Sequence, residues 1–351
     1  MVQTEILCEL AAHYADNGPY SVTHKQNFSL TKDKHDYVSG RLYWWKEGED
    51  YVRRDGQPNP ANRGGDFDRQ RLEDMVNGAV ACTLAWIASD DDQYAKNAAR
   101  LIDVWFVDPD TRMNPNLEYS QFVPGKKSNG VGIIDTYDFC YLLDAVELLA
   151  ASGFVDPKPI KDWFSAYLYW LVSSGQGKSE AARKNNHGTS HTVQIARYTA
   201  FVGKVWRARY FLWKAKSARI DLQIDGKGKQ PHEADRTISL YYHIYNLTKL
   251  FHLCLIGNKV GMDLSQYKGK LERGFKYVLP FVRDQQSWPL QQDKEVDFAD
   301  IGEFVVMGNA FFGIPEAAEY LNLHTDLCAF YQIHDQLCPP PTLMRECLKR
   351  L

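Results

Sequence analysis

No stretch of this chain approaches the ~18 to 20 uninterrupted apolar residues that cross a bilayer, so a membrane-spanning helix is not expected. The opening, Met1 to Gly18, places Glu5, Glu9, His13 and Asp16 where a signal peptide would be apolar, and a soluble chain without a leader is the expectation. Neither sign of charge dominates. Forty-one Lys plus Arg stand against 44 Asp plus Glu, a net charge of -3, which argues against nucleic acid or an anionic membrane as the main partner. The seven cysteines (Cys8, Cys82, Cys140, Cys254, Cys328, Cys338 and Cys347) contain no C-x-x-C pair and mostly sit in apolar helical patterns, so neither a zinc site nor a disulfide framework is indicated.

Strand patterning is scarce as well, with Val52 to Gly56 the best and a short candidate. There is no internal repeat, low-complexity tract or Pro/Ser linker, and 351 residues with 44% hydrophobic and 24% charged composition are most simply organised as one globular domain over 1–351. Helical periodicity fills the chain instead. Met75, Val76, Ala79, Val80, Thr83, Leu84 and Ile87 recur every three or four residues after Leu72, and Ser89-Asp90-Asp91-Asp92 ends that segment and caps the next. Further helical patterns run from Tyr94 to Phe106, Phe139 to Leu149, Trp163 to Val172, His191 to Val202, Arg207 to Ala218, Ser239 to Ile256, Leu264 to Leu279 and Asp300 to Phe312, with a last pair between Pro315 and Leu351. Such a series, joined by short Gly, Pro or Asp turns, predicts an all-α fold, an (α/α) barrel or incomplete toroid of helical hairpins around a central cleft. The exception is 35–65, a long irregular segment of the kind that forms lids or binding loops.

Three polar segments interrupt the helices. In Ala181 to His191, Asn185 and Asn186 precede His187 and Gly188, poor residues for a helix interior that mark the approach to a helix N-terminus, where side-chain amides cap the backbone or face a ligand. His187 and His191 have the spacing of a two-histidine metal site but no acidic residue of the H-E-x-x-H type between them, so no metal and no other cofactor is expected. In Glu233 to Leu247, Arg236 falls in or near the first turn of a helix and Tyr242 follows two turns later; Tyr241, Tyr242 and Tyr245 cannot all share a face. Thr111 to Gly125 is dense in amides and aromatics, and Gly130 to Thr136 continues it without the strand-turn-helix frame of a dinucleotide site. Nine Trp and 20 Tyr suit a groove that stacks on sugar faces, with core packing the default for each.

At these residues the chain resembles the alginate lyase family, polyuronate lyases with an α/α barrel or toroid. The resemblance runs from about His35 to Pro289 in five ordered blocks: Tyr43-Trp44-Trp45 with Tyr51 to Gly56; Trp105-Phe106 leading to Asp108-Pro109 and Thr111 to Leu117; Gly132 to Thr136; Asn185 to Gly188; and Arg236 with Ser239-Leu240 and Tyr242. The resemblance implies that Asn186 and His187 meet the substrate carboxylate, that Arg236 is a second neutraliser and that Tyr242 transfers the proton. In the better-known bacterial relatives the Arg to Tyr spacing is one residue longer, and Tyr245 offers a competing alignment. Trp44, Trp45, Arg53, Arg54, Tyr119, Gln121, Asn185, His191 and Tyr245 are implied as substrate contacts.

The chemistry so implied is β-elimination from a 4-linked polyuronate, alginate, polymannuronate or glucuronan. The substrate carboxylate must be neutralised before the C5 proton can leave, a role for amide, imidazole and guanidinium donors. A tyrosine acting as base needs a positive field beside its phenol, which Arg236 and His187 would supply. Lys126 and Lys127, Lys178, Arg183 and Lys184, and Lys227 and Lys229 flank the blocks and would attract an anionic polysaccharide. Two other readings stay open. A glycoside hydrolase would draw paired carboxylates from Glu118, Asp135, Glu233 and Asp235, and a non-catalytic polyuronate-binding protein would keep the groove alone. Substrate logic suggests a secreted or periplasmic protein; the sequons at Asn27 and Asn246 are short enough to arise by chance.

Overall fold

The computed structural model describes residues 2–26, 30–31, 33–126 and 128–351. Lys127 and the Asn27 sequon lie outside the described residues. In chain order the helices of the first half are α1 (Val2–Asn17), α2 (Arg69–Ser89), α3 (Asp92–Phe106), α4 (Phe139–Ala151), α5 (Pro157–Ser173), α6 (Gly175–Ala181), α7 (Asn186–Phe201) and α8 (Val205–Ala215). They are followed by α9 (Asp221–Gln223), α10 (Pro231–Ala234), α11 (Ser239–Lys259), α12 (Ser265–Val278), α13 (Phe298–Phe312), α14 (Pro315–Leu323), α15 (Thr325–Tyr331) and α16 (Pro341–Leu348). Four short strands, β1 (Val38–Gly40), β2 (Trp44–Glu47), β3 (Asp50–Arg53) and β4 (Tyr119–Phe122), form a parallel β1–β4 pair and an antiparallel β2–β3 hairpin. The chain divides into two compact units, residues 1–178 with 329–351, and residues 179–328.

In the first unit, α1 packs on α2 and α3, and α2 also meets α4. Helix α3 forms because Asp91 caps it, accepting from the Gln93 N–H at 2.9 Å, and because Ala95, Ala98, Leu101, Ile102 and Trp105 fall on one buried face. Pro157 opens α5 behind the Asp156 cap, the position where a missing N–H costs nothing. Phe106 meets Phe139 and Trp163 edge to face, with centroids 5.3 and 4.8 Å away, and burying each such ring contributes roughly 1.5 to 3 kcal/mol.

The irregular stretch 35–65 carries β1, β2, β3 and a 3-10 turn, fastened through backbone carbonyls. Asn59 donates to the Trp44 carbonyl at 2.9 Å, Asn62 donates to those of Arg41 and Trp44 at 2.8 and 2.9 Å, and the Val38 N–H donates to Asp68 at 2.9 Å. Asp68 is itself paired with the buried Lys25 at 3.0 Å.

In the second unit α7 and α11 pack against each other, α8 lies on α7, and α13 lies on α11. Both central helices are buried on almost every face, which is why α7 reads as apolar, small and hydroxylic residues rather than as an amphipathic stripe. Asn246 of the second sequon is fully buried within α11, donating to Gln223 and Gln230 at 2.8 and 2.6 Å, so no glycan reaches it.

The helical patterns of the sequence appear within a few residues of their expected bounds, and the strand expected at Val52 to Gly56 occupies Asp50–Arg53. Three differences have physical reasons. The pattern from Arg207 to Ala218 is α-helical only to Ala215 and continues as a π turn over Lys216–Ile220, which carries Arg219 inward. The pair expected after Pro315 is three helices, because His324 interrupts between α14 and α15. Arg236 precedes rather than opens α11, which starts at Ser239, and Tyr242 lies in the first turn of that helix.

Candidate active site

The second unit gathers the polar residues that precede α7 and α11. Asn185 is the cap residue of α7, yet its side chain makes no capping bond; its carbonyl instead accepts from the Thr189 N–H at 3.2 Å. The role of a cap passes to Glu233 on α10. Its carboxyl oxygens accept from the Asn186 backbone N–H at 2.6 Å and from the Asn186 side-chain amide at 2.8 Å, placing two acceptors at a helix N-terminus whose N–H groups lack partners within the helix. Burial pushes the Glu233 carboxyl up to about 7 against the opposing pull of these hydrogen bonds and of Arg236. Asn186 is 1% exposed, and its Oδ1 has no hydrogen-bond partner among the described residues, a buried acceptor left over.

His187 is the next residue on α7. Its Nδ1 lies 2.5 Å from a carboxylate oxygen of Glu180, whose side chain is wholly buried, while the imidazole keeps 22% of its surface. An ionised Glu180 requires the proton on Nδ1, which leaves Nε2 as the nitrogen free for chemistry. The other Glu180 oxygen accepts from Arg183 Nε at 2.6 Å. Beneath them Arg219 donates to Thr192 Oγ1 at 2.8 Å and to the carbonyls of Arg183 and Ala181 at 2.9 and 2.7 Å. Burial lowers the Arg219 guanidinium to about 10, with Glu180 opposing. Gly188 is required at this packing, since a Cβ there would sit 2.0 Å from the Arg183 carbonyl oxygen.

The segment carrying Glu233 and Arg236 is held from the α11 side. His243 donates from Nδ1 to the Ser239 carbonyl at 2.8 Å and accepts at Nε2 from the Gln230 N–H at 3.2 Å. Burial lowers its pKa to about 4, so the ring is neutral and fixed in one tautomer, a structural strut beside Tyr242. Gln230 closes the strut by donating to the His243 carbonyl at 2.9 Å.

Arg236 lies over Tyr242 with its guanidinium carbon 3.6 Å from the ring centroid, and Tyr242 is 6% exposed. Tyr245 is half-buried, edge-on to Tyr242 at 6.4 Å, and lies under the Lys249 ammonium, 3.4 Å from its own ring centroid. Asn186, Arg236 and Tyr242 are thus linked through Glu233 and the Arg236 stack, and His187 follows Asn186 on α7. Asn185 and Tyr245 border that group, and His191 is buried one turn further along α7. No group of three His, Cys, Asp or Glu side chains suited to a metal occurs among the described residues, and the His187 Nδ1 is occupied by Glu180.

The remaining sugar-contact candidates belong to the first unit. Trp44 on β2 has the Arg41 guanidinium and the Lys126 ammonium over its ring at 5.3 and 5.0 Å, and borders a cavity of about 220 Å³ with Tyr51, Asn62 and Phe122. Trp45 lies under Arg54 at 5.1 Å, and Arg54 also pairs with Glu47 at 2.5 Å, while Arg53 pairs with Asp55. Tyr119 is half-buried on β4. Gln121 takes a left-handed backbone, φ 45°, and donates its amide to Asp135 at 2.8 Å. Asp135 also accepts from Ser39 at 2.6 Å and Tyr37 at 3.2 Å and pairs with Arg69, a saturated carboxylate with no capacity left for general acid work.

The alginate lyase family model matches residues 21–288. The chain belongs to the alginate lyase family. Over its whole length it is similar to an alginate lyase from Bacteroides ovatus, at 31% identity with a TM-score of 0.82 and 93% of that structure covered. Alginate lyase A1-III of Sphingomonas species A1 shares the fold at 16% identity, TM-score 0.57, over 84% of this chain and 82% of that one. A histidine-to-alanine variant of A1-III complexed with tetrasaccharide matches at 17% identity and TM-score 0.59 over 85% of this chain and 81% of that one. No curated protein sequence matches. The all-α, α/α-toroid class expected from the sequence holds, and the family makes the chain a polysaccharide lyase rather than a hydrolase.

Glu180 was not among the residues the sequence singled out, and Glu233 was singled out for a different chemistry. The break between α6 and α7 takes Glu180 and His187, 7 positions apart, off a common helix face, and Glu233 stands 47 positions from Asn186, beyond any local period.

Proposed function

We propose that the protein cleaves alginate and related 4-linked polyuronates by β-elimination, with Tyr242 as both base and acid. The single observation that carries this reading is the line of contacts from Asn186 to the Glu233 carboxyl, from the Glu233 carbonyl to the Arg236 N–H at 3.3 Å, and from the Arg236 guanidinium onto the ring of Tyr242. The substrate carboxylate would meet Arg236, the Asn186 amide N–H that Glu233 does not hold, and His187 Nε2, which donates once the ring carries its second proton beside Glu180. These donors stabilise the negative charge that spreads into the carboxylate as the C5 proton departs, where each preorganised donor is worth ~3 to 4 kcal/mol. The Tyr242 oxygen takes the C5 proton, the C–H electrons form the C4–C5 double bond, and the C4–O bond breaks. The same phenol returns the proton to the leaving oxygen. A guanidinium against the ring face favours the negative phenol oxygen that the first step needs.

In β-mannuronate and β-glucuronate the C5 hydrogen and C4 oxygen lie on one ring face, so a single tyrosine serves both steps. Family membership supports alginate as substrate, and the tetrasaccharide bound by the A1-III variant supports a saccharide-chain ligand. A polymer of this size is met outside the cytoplasm, and secretion or a periplasmic location is part of the proposal. Incubation with polymannuronate, polyguluronate and glucuronan tests it. Unsaturated ends absorbing in the ultraviolet are expected, fastest on polymannuronate among the alginate blocks, and silence on all three polymers would overturn the reading.

A further inference from the structure

Helix α8, VWRARYFLWKA, buries Ala208, Leu212 and Ala215 and leaves its largest rings outside. Trp206 is 81% exposed, Trp213 62% and Tyr210 50%, although open water is the costliest place for such rings. Their spacing of four and three residues places them on one face, a ridge about 10 Å long at 1.5 Å per residue. Tyr210 and Trp213 lie nearly parallel, centroids 6.2 Å apart and planes 30° apart. The ridge is built rather than loose. Arg209 donates to the Val260 and Gly261 carbonyls at 2.7 and 3.3 Å and from that anchored position sits 4.9 Å from the Trp206 ring centroid, and Lys214 lies 5.4 Å from that of Tyr210. The helix carries Arg207, Arg209 and Lys214 and no carboxylate, in a chain whose net charge is -3.

We infer that this ridge is a second polysaccharide-binding site, separate from the Asn186 to Tyr242 group, which holds an acidic glycan chain while the active site works on it. Aromatic faces stack on pyranose rings, and the interleaved cations pair with a carboxylate on each sugar. Charge complementarity selects this occupant: cations lie beside two of the three rings with no carboxylate on the helix, and a polyuronate presents an anion at every residue. The inference rests on the polyuronate reading given above.

The test uses the full chain and Trp206→Ala/Tyr210→Ala/Trp213→Ala, three exposed positions whose loss leaves the core intact. In the Tyr242→Phe background, which spares the gel matrix, electrophoresis through alginate should retard the parent at least about five-fold more than the triple variant, and a neutral glucan should retard neither. With Tyr242 present, both should turn over a defined tetrauronide within about two-fold of each other, while the triple variant shows a raised KM on polymer. Arg207→Glu/Lys214→Glu should weaken retardation likewise, and the parent's retardation should fall with salt. Equal retardation of parent and triple variant overturns the inference, as does a dimer that becomes monomeric in the triple variant, which would make the ridge a contact between copies. Turnover with no effect of the ridge sinks this inference alone; retardation through the ridge with no unsaturated product sinks the lyase reading alone.

Discussion

The His187 imidazole lies 2.5 Å from a Glu180 carboxylate that no water reaches. A buried charge in that position fixes the ring's tautomer and its direction together. Glu180→Gln keeps the shape but removes the charge, and kcat should fall about 10- to 100-fold, in line with the ~1.5 to 3 kcal/mol of a hydrogen bond to a charged group. Steady-state kinetics on polymannuronate measures this. The downfield imidazole proton of His187 in NMR spectra should disappear in the same variant.

Tyr242→Phe keeps the ring on which Arg236 rests and removes only the hydroxyl. Turnover should drop by ~10² to 10⁴, the usual weight of a positioned general base and acid, while tetrasaccharide affinity stays within a few-fold. Tyr245→Phe should cost far less. The opposite ranking, measured by product absorbance, would move the proton-transfer role to Tyr245.

Glu233 has its carboxyl raised from the ordinary 4.5 to about 7 by burial. Between those values the folded protein holds a proton that the unfolded chain has released. The stability this group contributes is therefore complete below pH 4.5 and declines as pH rises through 7. Glu233→Gln stays neutral throughout. Melting curves from pH 4 to 8 should show the parent losing Tm relative to the variant across that window; parallel curves would refute the assignment.

Gly188→Ala would push a methyl group into the Arg183 carbonyl oxygen. Overpacking of this kind costs ~1 to 3 kcal/mol, and here it also displaces the Arg219 guanidinium, 2.8 Å from the same methyl position. A lowered Tm and a larger proportional loss of kcat are expected, measured by calorimetry and by product absorbance.

The helices were legible because their apolar periods are local, and α3 is the plainest case, with one buried stripe and an aspartate cap. Helix α7 was legible from its entry sequence instead, since a helix buried all round has no stripe to read. The Asn-His pair and Arg236 stood out as polar residues where helices begin. What sustains them did not. Glu180 and Glu233 are ordinary acidic residues in sequence, and only packing brings them to His187 and Asn186. The α8 ridge was read as part of a helix, and only exposure distinguishes its rings from core.

The carboxylate that starts α7 arrives from 47 residues downstream. A nascent chain that has emerged only through α7 therefore lacks the carboxyl group that seats the Asn186 amide. The Asn186 amide finds its partner only after α10 has docked, so a translation product ending before residue 233 would hold His187 on Glu180 but leave Asn186 without its carboxyl partner.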